Sequence, residues 1–152
     1  MRAVVQRVSS ATVRVGGRDV AAIDRGLLVL VAVERNDGPD DVRYIAEKVR
    51  DLRLFDEPGE PSRPFHLSVQ DVGGSVIVVS QFTLAADCRR GRRPSFDGAA
   101  SPDAARGLYE DVVRSIEAGG VTVKTGEFRA MMQVALVNEG PVTLLLDSRK
   151  GF

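Results

Sequence analysis

The spacing of apolar and polar positions changes several times along this chain, and each change marks an element. Over residues 2–8, and again over 11–15, valines alternate with polar residues in the two-residue period of half-buried strands. Gly16-Gly17 supplies a two-residue turn into a further extended run ending near Asp24. Leu27-Leu28-Val29-Leu30-Val31-Ala32-Val33 is apolar on both faces, which predicts a central strand covered on both sides. The period then lengthens. After Asn36-Asp37-Gly38-Pro39, a helix start with proline near its first position, Val42, Ile45, Ala46, Val49 and Leu52 fall on one helical stripe.

Three prolines and a glycine make 57–64 a loop, and extended runs are expected over 65–69 and, after Gly73-Gly74, over 75–81. Residues 85–100 are polar, basic and glycine-containing, a long surface loop of the kind that carries function. Ser101-Pro102 opens a second helix with the stripe Ala105, Leu108, Tyr109, Val112 and Ile116, ended by Gly119-Gly120. Strands at 121–124, about 130–138 and 142–147 close the chain. Six or more strands with two main helices predict an α+β domain built on a compact, curved or barrel-like, mostly antiparallel sheet. With 152 residues and no internal repeat or linker, 1–152 reads as a single domain. Two helices do not cover both faces of such a sheet, which points to self-association.

Charge narrows the function classes. The 21 basic and 21 acidic residues balance, so the whole molecule offers no field to a polyanion, and a nucleic acid would need a local basic patch. Arg89-Arg90-Gly91-Arg92-Arg93 is such a patch, read either as a solvated loop or as a set of guanidinium forks for phosphate oxygens. Cys88 is the only cysteine, which excludes an intrachain disulfide and a thiolate zinc cluster. Charges interrupt the first apolar run, unlike a secretory leader, and no apolar run approaches the roughly 20 residues that span a bilayer. A cytoplasmic protein with no membrane contact is the expectation. With one histidine, His66, and no nucleophile elbow, phosphate-cradling loop or dinucleotide fingerprint, neither a metal nor a cofactor is expected. Asp37, Asp40 and Asp41 lie where a helix start favours negative charge, a structural role.

Two segments carry the candidate chemistry. Ser80-Gln81-Phe82-Thr83-Leu84 places hydroxyl, amide, ring and hydroxyl where an apolar strand ends; the plain alternative is polar side chains satisfying the next loop's backbone. Asn138-Glu139-Gly140-Pro141-Val142-Thr143 reads as an ordinary turn between strands. With a cis Gly-Pro bond it reads instead as a wedge of exposed backbone that tests a ligand's handedness.

Together these residues resemble the bacterial and eukaryotic type of D-aminoacyl-tRNA deacylase. The likeness opens with Met1-Arg2-Ala3-Val4-Val5-Gln6-Arg7-Val8 and is densest from Val72-Gly73-Gly74-Ser75 through Ser80-Gln81-Phe82-Thr83-Leu84-Ala85-Ala86-Asp87. Arg93-Pro94-Ser95-Phe96, Thr125-Gly126-Glu127-Phe128, Met132-Gln133-Val134 and Asn138-Glu139-Gly140-Pro141-Val142-Thr143 follow in order. The resemblance implies a homodimer that hydrolyses the ester of D-aminoacyl-tRNA, with mischarged glycyl-tRNA as a second substrate. It implies a cis Gly140-Pro141, flanked by Asn138, that enters the partner's active site and excludes L-amino acids.

Ser80, Gln81, Phe82 and Thr83 would then form the catalytic segment. Backbone N–H groups near Phe82 and Thr83 would serve as oxyanion donors, and water would be the nucleophile, helped by the 2′-hydroxyl of the terminal adenosine. Thr83 as nucleophile is the rival assignment. Phe128 and Met132 pack on the terminal adenosine or else in the core, and Arg89, Arg90, Arg92 and Arg93 contact RNA phosphates. Three positions depart from the family's usual residues: His66 for asparagine, Glu139 for aspartate, and Arg129 for glycine or alanine. Two alternatives stand beside this reading. One is a related deacylase of L-alanyl-tRNA, against which the intact 80–83 segment argues. The other is a non-catalytic nucleic-acid-binding module that uses the 89–93 loop.

Overall fold

A long strand, β1 (Arg2–Val15), organises the computed structural model, which describes residues 1–60, 62 and 64–151. Two strands were expected here, but one runs through, and Ser9-Ser10 marks only a register irregularity between Val8 and Ser10. β2 (Arg18–Ile23) returns antiparallel across Gly16-Gly17, both at positive φ as a tight hairpin turn requires. β3 (Gly26–Ala32) pairs antiparallel with the first half of β1 and is buried almost throughout, as its two-faced apolar run predicts.

The helix α1 (Pro39–Asp51) then carries the chain to β4 (Ser75–Ser80), parallel to β3. The helix α2 (Pro102–Ala118) leads to β5 (Thr122–Thr125), parallel to β4. β6 (Gln133–Asp147) closes the fold antiparallel along nearly the whole of β1. Among the described residues, three strand pairings are antiparallel and two parallel, a more mixed sheet than expected. The physical reason is the two helices: each is a crossover long enough to return the next strand in the same direction. At Gly26 a Cβ would run into the Ser75 carbonyl, so glycine lets β3 and β4 approach.

Two hydrophobic cores form among the described residues. On one face of the sheet, Ile45 and Val49 of α1 and Val112 and Ile116 of α2 pack on Val5, Leu27, Val29, Val76 and Val78. On the other, Leu28, Ile77 and Val79 are covered by Ala11 and Val13 of β1, Ala21 and Ile23 of β2, and Val134 and Leu136 of β6. The sheet therefore curls over its own second face, and the argument that this face needs another subunit is corrected. What stays open is a strip where Val4 and Gln6 lie opposite Leu145 and Thr143, with Leu145 62 % exposed.

Three other expectations change. The 65–69 segment is not a strand; Leu67 makes only an isolated bridge to Phe55. Two residues of the expected 57–64 loop, 61 and 63, lie outside the described residues, as does Phe152 of the tail. The strands placed at 130–138 and 142–147 are one strand, β6, and Gly140-Pro141 is not a hairpin turn. While β1 advances from Gln6 to Val8, β6 passes from Thr143 to Asn138, so 139–142 swing out as an excursion from a continuous ladder.

The Asp37 side chain is buried and accepts bonds from the Met1 amino group at 2.7 Å, the Glu34 N–H at 2.6 Å and Arg149 at 2.9 Å. Asp41 accepts from the Gly38 N–H at 2.8 Å and from the Ser148 hydroxyl. The helix start thus anchors Met1, Ser148 and Arg149, giving the 147–151 segment a structural role that the sequence did not reveal. Among the described residues, no helix is long and apolar enough to cross a membrane.

Candidate functional site

β4 ends at Ser80, and the Gln81 N–H donates to the Val31 carbonyl at 2.7 Å, which fixes where the chain leaves the sheet. A single 3-10 turn follows, Phe82–Ala85, with Leu84 donating to Gln81 at 3.2 Å and Ala86 to Thr83 at 3.1 Å. The first N–H groups of such a turn, those of Phe82 and Thr83, have no acceptor within it. Both side chains are exposed, Phe82 at 56 %, and the Phe96 ring meets Phe82 edge-on at 4.9 Å.

The basic segment is a small hairpin closed by reciprocal backbone bonds between Asp87 and Ser95 at 2.8 and 3.0 Å. Arg89 is consumed locally, donating to Asp87 at 2.9 and 2.6 Å and holding its carboxyl far below the usual carboxylate range. Among the described residues Arg90, Arg92 and Arg93 have no acidic partner and are exposed, so three of the four expected guanidinium groups remain free for a phosphate. A groove of about 810 Å³ joins this hairpin to the turn, along Arg2, Ala85, Ala86 and Cys88.

Asn138 ties the base of the β6 excursion: its amide donates to the Thr143 hydroxyl at 2.8 Å and accepts from the Val142 N–H at 3.1 Å. The Gly140-Pro141 peptide is cis, Gly140 has φ 127°, and both residues are exposed. Arg7 holds the excursion from inside. Its Nε donates to the Glu139 carbonyl at 3.1 Å and its Nη1 to the Leu54 carbonyl at 2.7 Å, with Asp56 at 3.6 Å. The Phe65 ring lies 5.8 Å from this guanidinium, and Phe65 itself is in the left-handed region at φ 53°. Sequence reasoning passed over Arg7. The available signal was a charge at the third of the alternating inward positions, after Ala3 and Val5.

A cavity of about 370 Å³ opens between α2 and the end of β5, lined by Arg106, Tyr109, Arg114, Thr125, Gly126 and Phe128. The Arg106 guanidinium lies over the Phe128 ring at 4.6 Å, and Tyr109 packs on that ring at 5.8 Å. Tyr109 donates to the Val78 carbonyl at 2.8 Å, and burial, aided by Glu110, pushes its phenol well above the ordinary range. Met132 is not among the residues lining the cavity; it packs on the second core beside Gly126. Arg129 has φ 66°, so an arginine where the family often has glycine carries a backbone cost.

One chain does not bring the two motifs together. Ser80 aligns across the sheet with Val31 and Ala3, whereas Arg7, which grips the excursion, aligns with Leu27 and Val76. Four residues along β1 are about 13 Å at a rise of ~3.3 Å each, so 80–83 and 138–141 lie at opposite ends. Among the described residues, no three of His, Cys, Asp and Glu gather as metal ligands would.

Residues 4–147 match the protein family described as D-Tyr-tRNA(Tyr) deacylase. A Koribacter versatilis protein named D-aminoacyl-tRNA deacylase is 55 % identical over 152 residues, covering 100 % of both chains. A Thermotoga petrophila protein of the same name is 56 % identical over 153 residues, again covering 100 % of both. Among solved structures, the c-Myc DNA Unwinding Element Binding Protein superposes with a TM-score of 0.90 at 35 % identity, over 97 % of this chain and 98 % of that one. A probable eukaryotic D-amino acid tRNA deacylase has the same fold, with a TM-score of 0.76 at 17 % identity over 95 % of this chain and 97 % of its own.

Proposed function

We propose, because the chain belongs to the D-Tyr-tRNA(Tyr) deacylase family, that it hydrolyses the ester bond of D-aminoacyl-tRNA, releasing free D-amino acid and tRNA. The observation that carries this is the family match over residues 4–147, which includes both the 80–83 segment, with Phe82 and Thr83 exposed, and the Gly140-Pro141 excursion. Mischarged glycyl-tRNA is a second substrate, since glycine has no side chain to exclude. The setting is the cytoplasm, where aminoacyl-tRNA is used.

The working unit is a homodimer in which 138–141 of one protomer reach the 80–83 turn of the other. Two features support it: the separation of the motifs within one chain, and the open strip with exposed Leu145 beside Val4. The backbone of Gly140 and Pro141 then fills the space an L side chain would need, while a D side chain points away. Exclusion of this kind reads handedness and ignores side-chain identity.

The aminoacyl ester is already activated, so positioned water suffices as nucleophile. The N–H groups of Phe82 and Thr83 receive the developing oxyanion; one such donor is commonly worth about 3–4 kcal/mol. The ribose 2′-hydroxyl of the terminal adenosine orients the water. Thr83 has no hydrogen-bonded base among the described residues, which favours an orienting role over attack. Gln81 orients substrate from the start of the turn, with Ser80 behind it. The cavity that Phe128 lines receives the terminal base, and Arg90, Arg92 and Arg93 meet acceptor-stem phosphates.

The test is amino-acid release from D-Tyr-tRNA and L-Tyr-tRNA by the purified protein. Rapid loss of the D-ester alone is expected. Equal rates on both esters would remove the chirality filter. Turnover of neither would favour a nucleic-acid-binding module, and turnover of L-alanyl-tRNA alone would favour the related editing activity.

A further inference from the structure

The 370 Å³ cavity at the end of β5 carries charge of both signs. Arg106 and Arg114 each lie 4.0 Å from Glu110, Arg114 also pairs with Asp111, and Glu127 lines the opposite wall. Three carboxylates beside two guanidinium groups make a poor seat for a phosphate and a suitable one for a neutral, planar, polar heterocycle. One face is already built for stacking. The Phe128 ring is braced by Tyr109, and the Arg106 guanidinium lies 4.6 Å above it, held by the ring's quadrupole and by Glu110. Guanidinium planes and aromatic rings are the two surfaces on which proteins stack unpaired bases.

We propose that Arg106 is a positioning residue for the substrate: its guanidinium, pre-stacked on Phe128, forms the platform on which the terminal base of the acceptor end lies. This rests on the reading that the cavity takes the terminal adenosine, and it adds a residue from α2 to that subsite. Pre-stacking matters because a long side chain already ordered by Phe128 and Glu110 loses little further freedom when the base arrives. Arg106 acts on binding and not on the ester, so it sets KM and leaves kcat alone.

The experiment uses the full chain with adenosine as probe, titrated by NMR, together with steady-state hydrolysis of D-Tyr-tRNA. Arg106→Ala is expected to weaken adenosine binding and raise KM by about fivefold or more, with kcat within about twofold. Arg106→Lys keeps the charge and loses the plane, so it should resemble Arg106→Ala; Arg106→Gln, planar but neutral, should recover part of the loss. Arg106 is half exposed, so these variants are not expected to compromise folding. Wild-type behaviour of either Arg106→Ala or Arg106→Lys would overturn the proposal. Phe128→Ala separates the two levels of inference. If it abolishes adenosine binding while Arg106→Ala does not, only the role of Arg106 is wrong. If adenosine binding and KM survive Phe128→Ala, the cavity is not the base subsite and both readings fall.

Discussion

Arg7→Met is the perturbation that most directly tests how the excursion is held. Methionine keeps an unbranched apolar stem in the buried site and removes the guanidinium. Two bonds are lost, to the Leu54 carbonyl at 2.7 Å and the Glu139 carbonyl at 3.1 Å. Hydrogen bonds from a charged group contribute about 1.5–3 kcal/mol each. Part of that is offset, because methionine avoids the cost of desolvating a buried cation. The net expectation is a loss of about 2–4 kcal/mol, or a fall in Tm of roughly 5–12 °C for a chain of this size. Urea unfolding at one fixed protein concentration measures it, the fixed concentration being needed because association contributes to stability. The second readout is the ratio of D- to L-Tyr-tRNA hydrolysis, which should fall as the Glu139 carbonyl loses its anchor. Stability within about 0.5 kcal/mol of wild type would show that the buried guanidinium holds nothing. Lost stability with an unchanged ratio would show that Arg7 supports the fold without fixing the excursion.

Three further outcomes are expected. Thr83→Ala should retain kcat/KM to within about tenfold if water attacks, whereas a loss beyond about a thousandfold would make Thr83 the nucleophile. Tyr109 has its phenol raised by burial, so the folded state favours the protonated form; its contribution is fully present below pH ~10 and is lost as pH rises beyond that. Alkaline unfolding followed by circular dichroism should show that limb, and Tyr109→Phe should flatten it; an unaltered limb would place the cause elsewhere. Replacing Arg90, Arg92 and Arg93 together by Ala should reduce the salt slope of log KM by about 2–3, with Arg89→Ala alone changing it little; an equal effect from Arg89 would contradict its pairing with Asp87.

What was legible in the sequence was mostly local. The helix stripes, the two-glycine turn and the buried run of β3 follow from spacing, and the 80–83 polar cluster is visible as an interruption of an apolar strand. What failed was decided by partners distant in the chain or by side chains bonding backbone. Phe65-His66-Leu67-Ser68-Val69 alternates like a strand, yet the Asp56 carboxylate takes the Phe65 N–H and the Asp71 carboxylate takes the Ser68 N–H, so the ladder loses its donors. Gly140-Pro141 reads as punctuation, and only β1 alongside shows that β6 continues past it. Arg7 sits among valines, and its importance depends on carbonyls 47 and 132 residues away. The parallel pairs, by contrast, follow from the order strand–helix–strand, because a helical crossover returns the next strand in the same direction.

The excursion in β6 also sets a rule about length. Before it, the even-numbered Met132, Val134 and Leu136 face the second core; after it, the even-numbered Leu144 and Leu146 face the first. The strand thus serves two cores, and the residues between Asn138 and Thr143 keep its two halves in phase. Deleting or inserting one residue there would turn one half of the strand inside out, presenting Val137 or Leu145 to a core and its neighbours to water. Removing two would preserve the phase while shortening the reach. Descent in this chain is therefore constrained at this point by parity as well as by residue identity, a constraint that a scan of single substitutions would never detect.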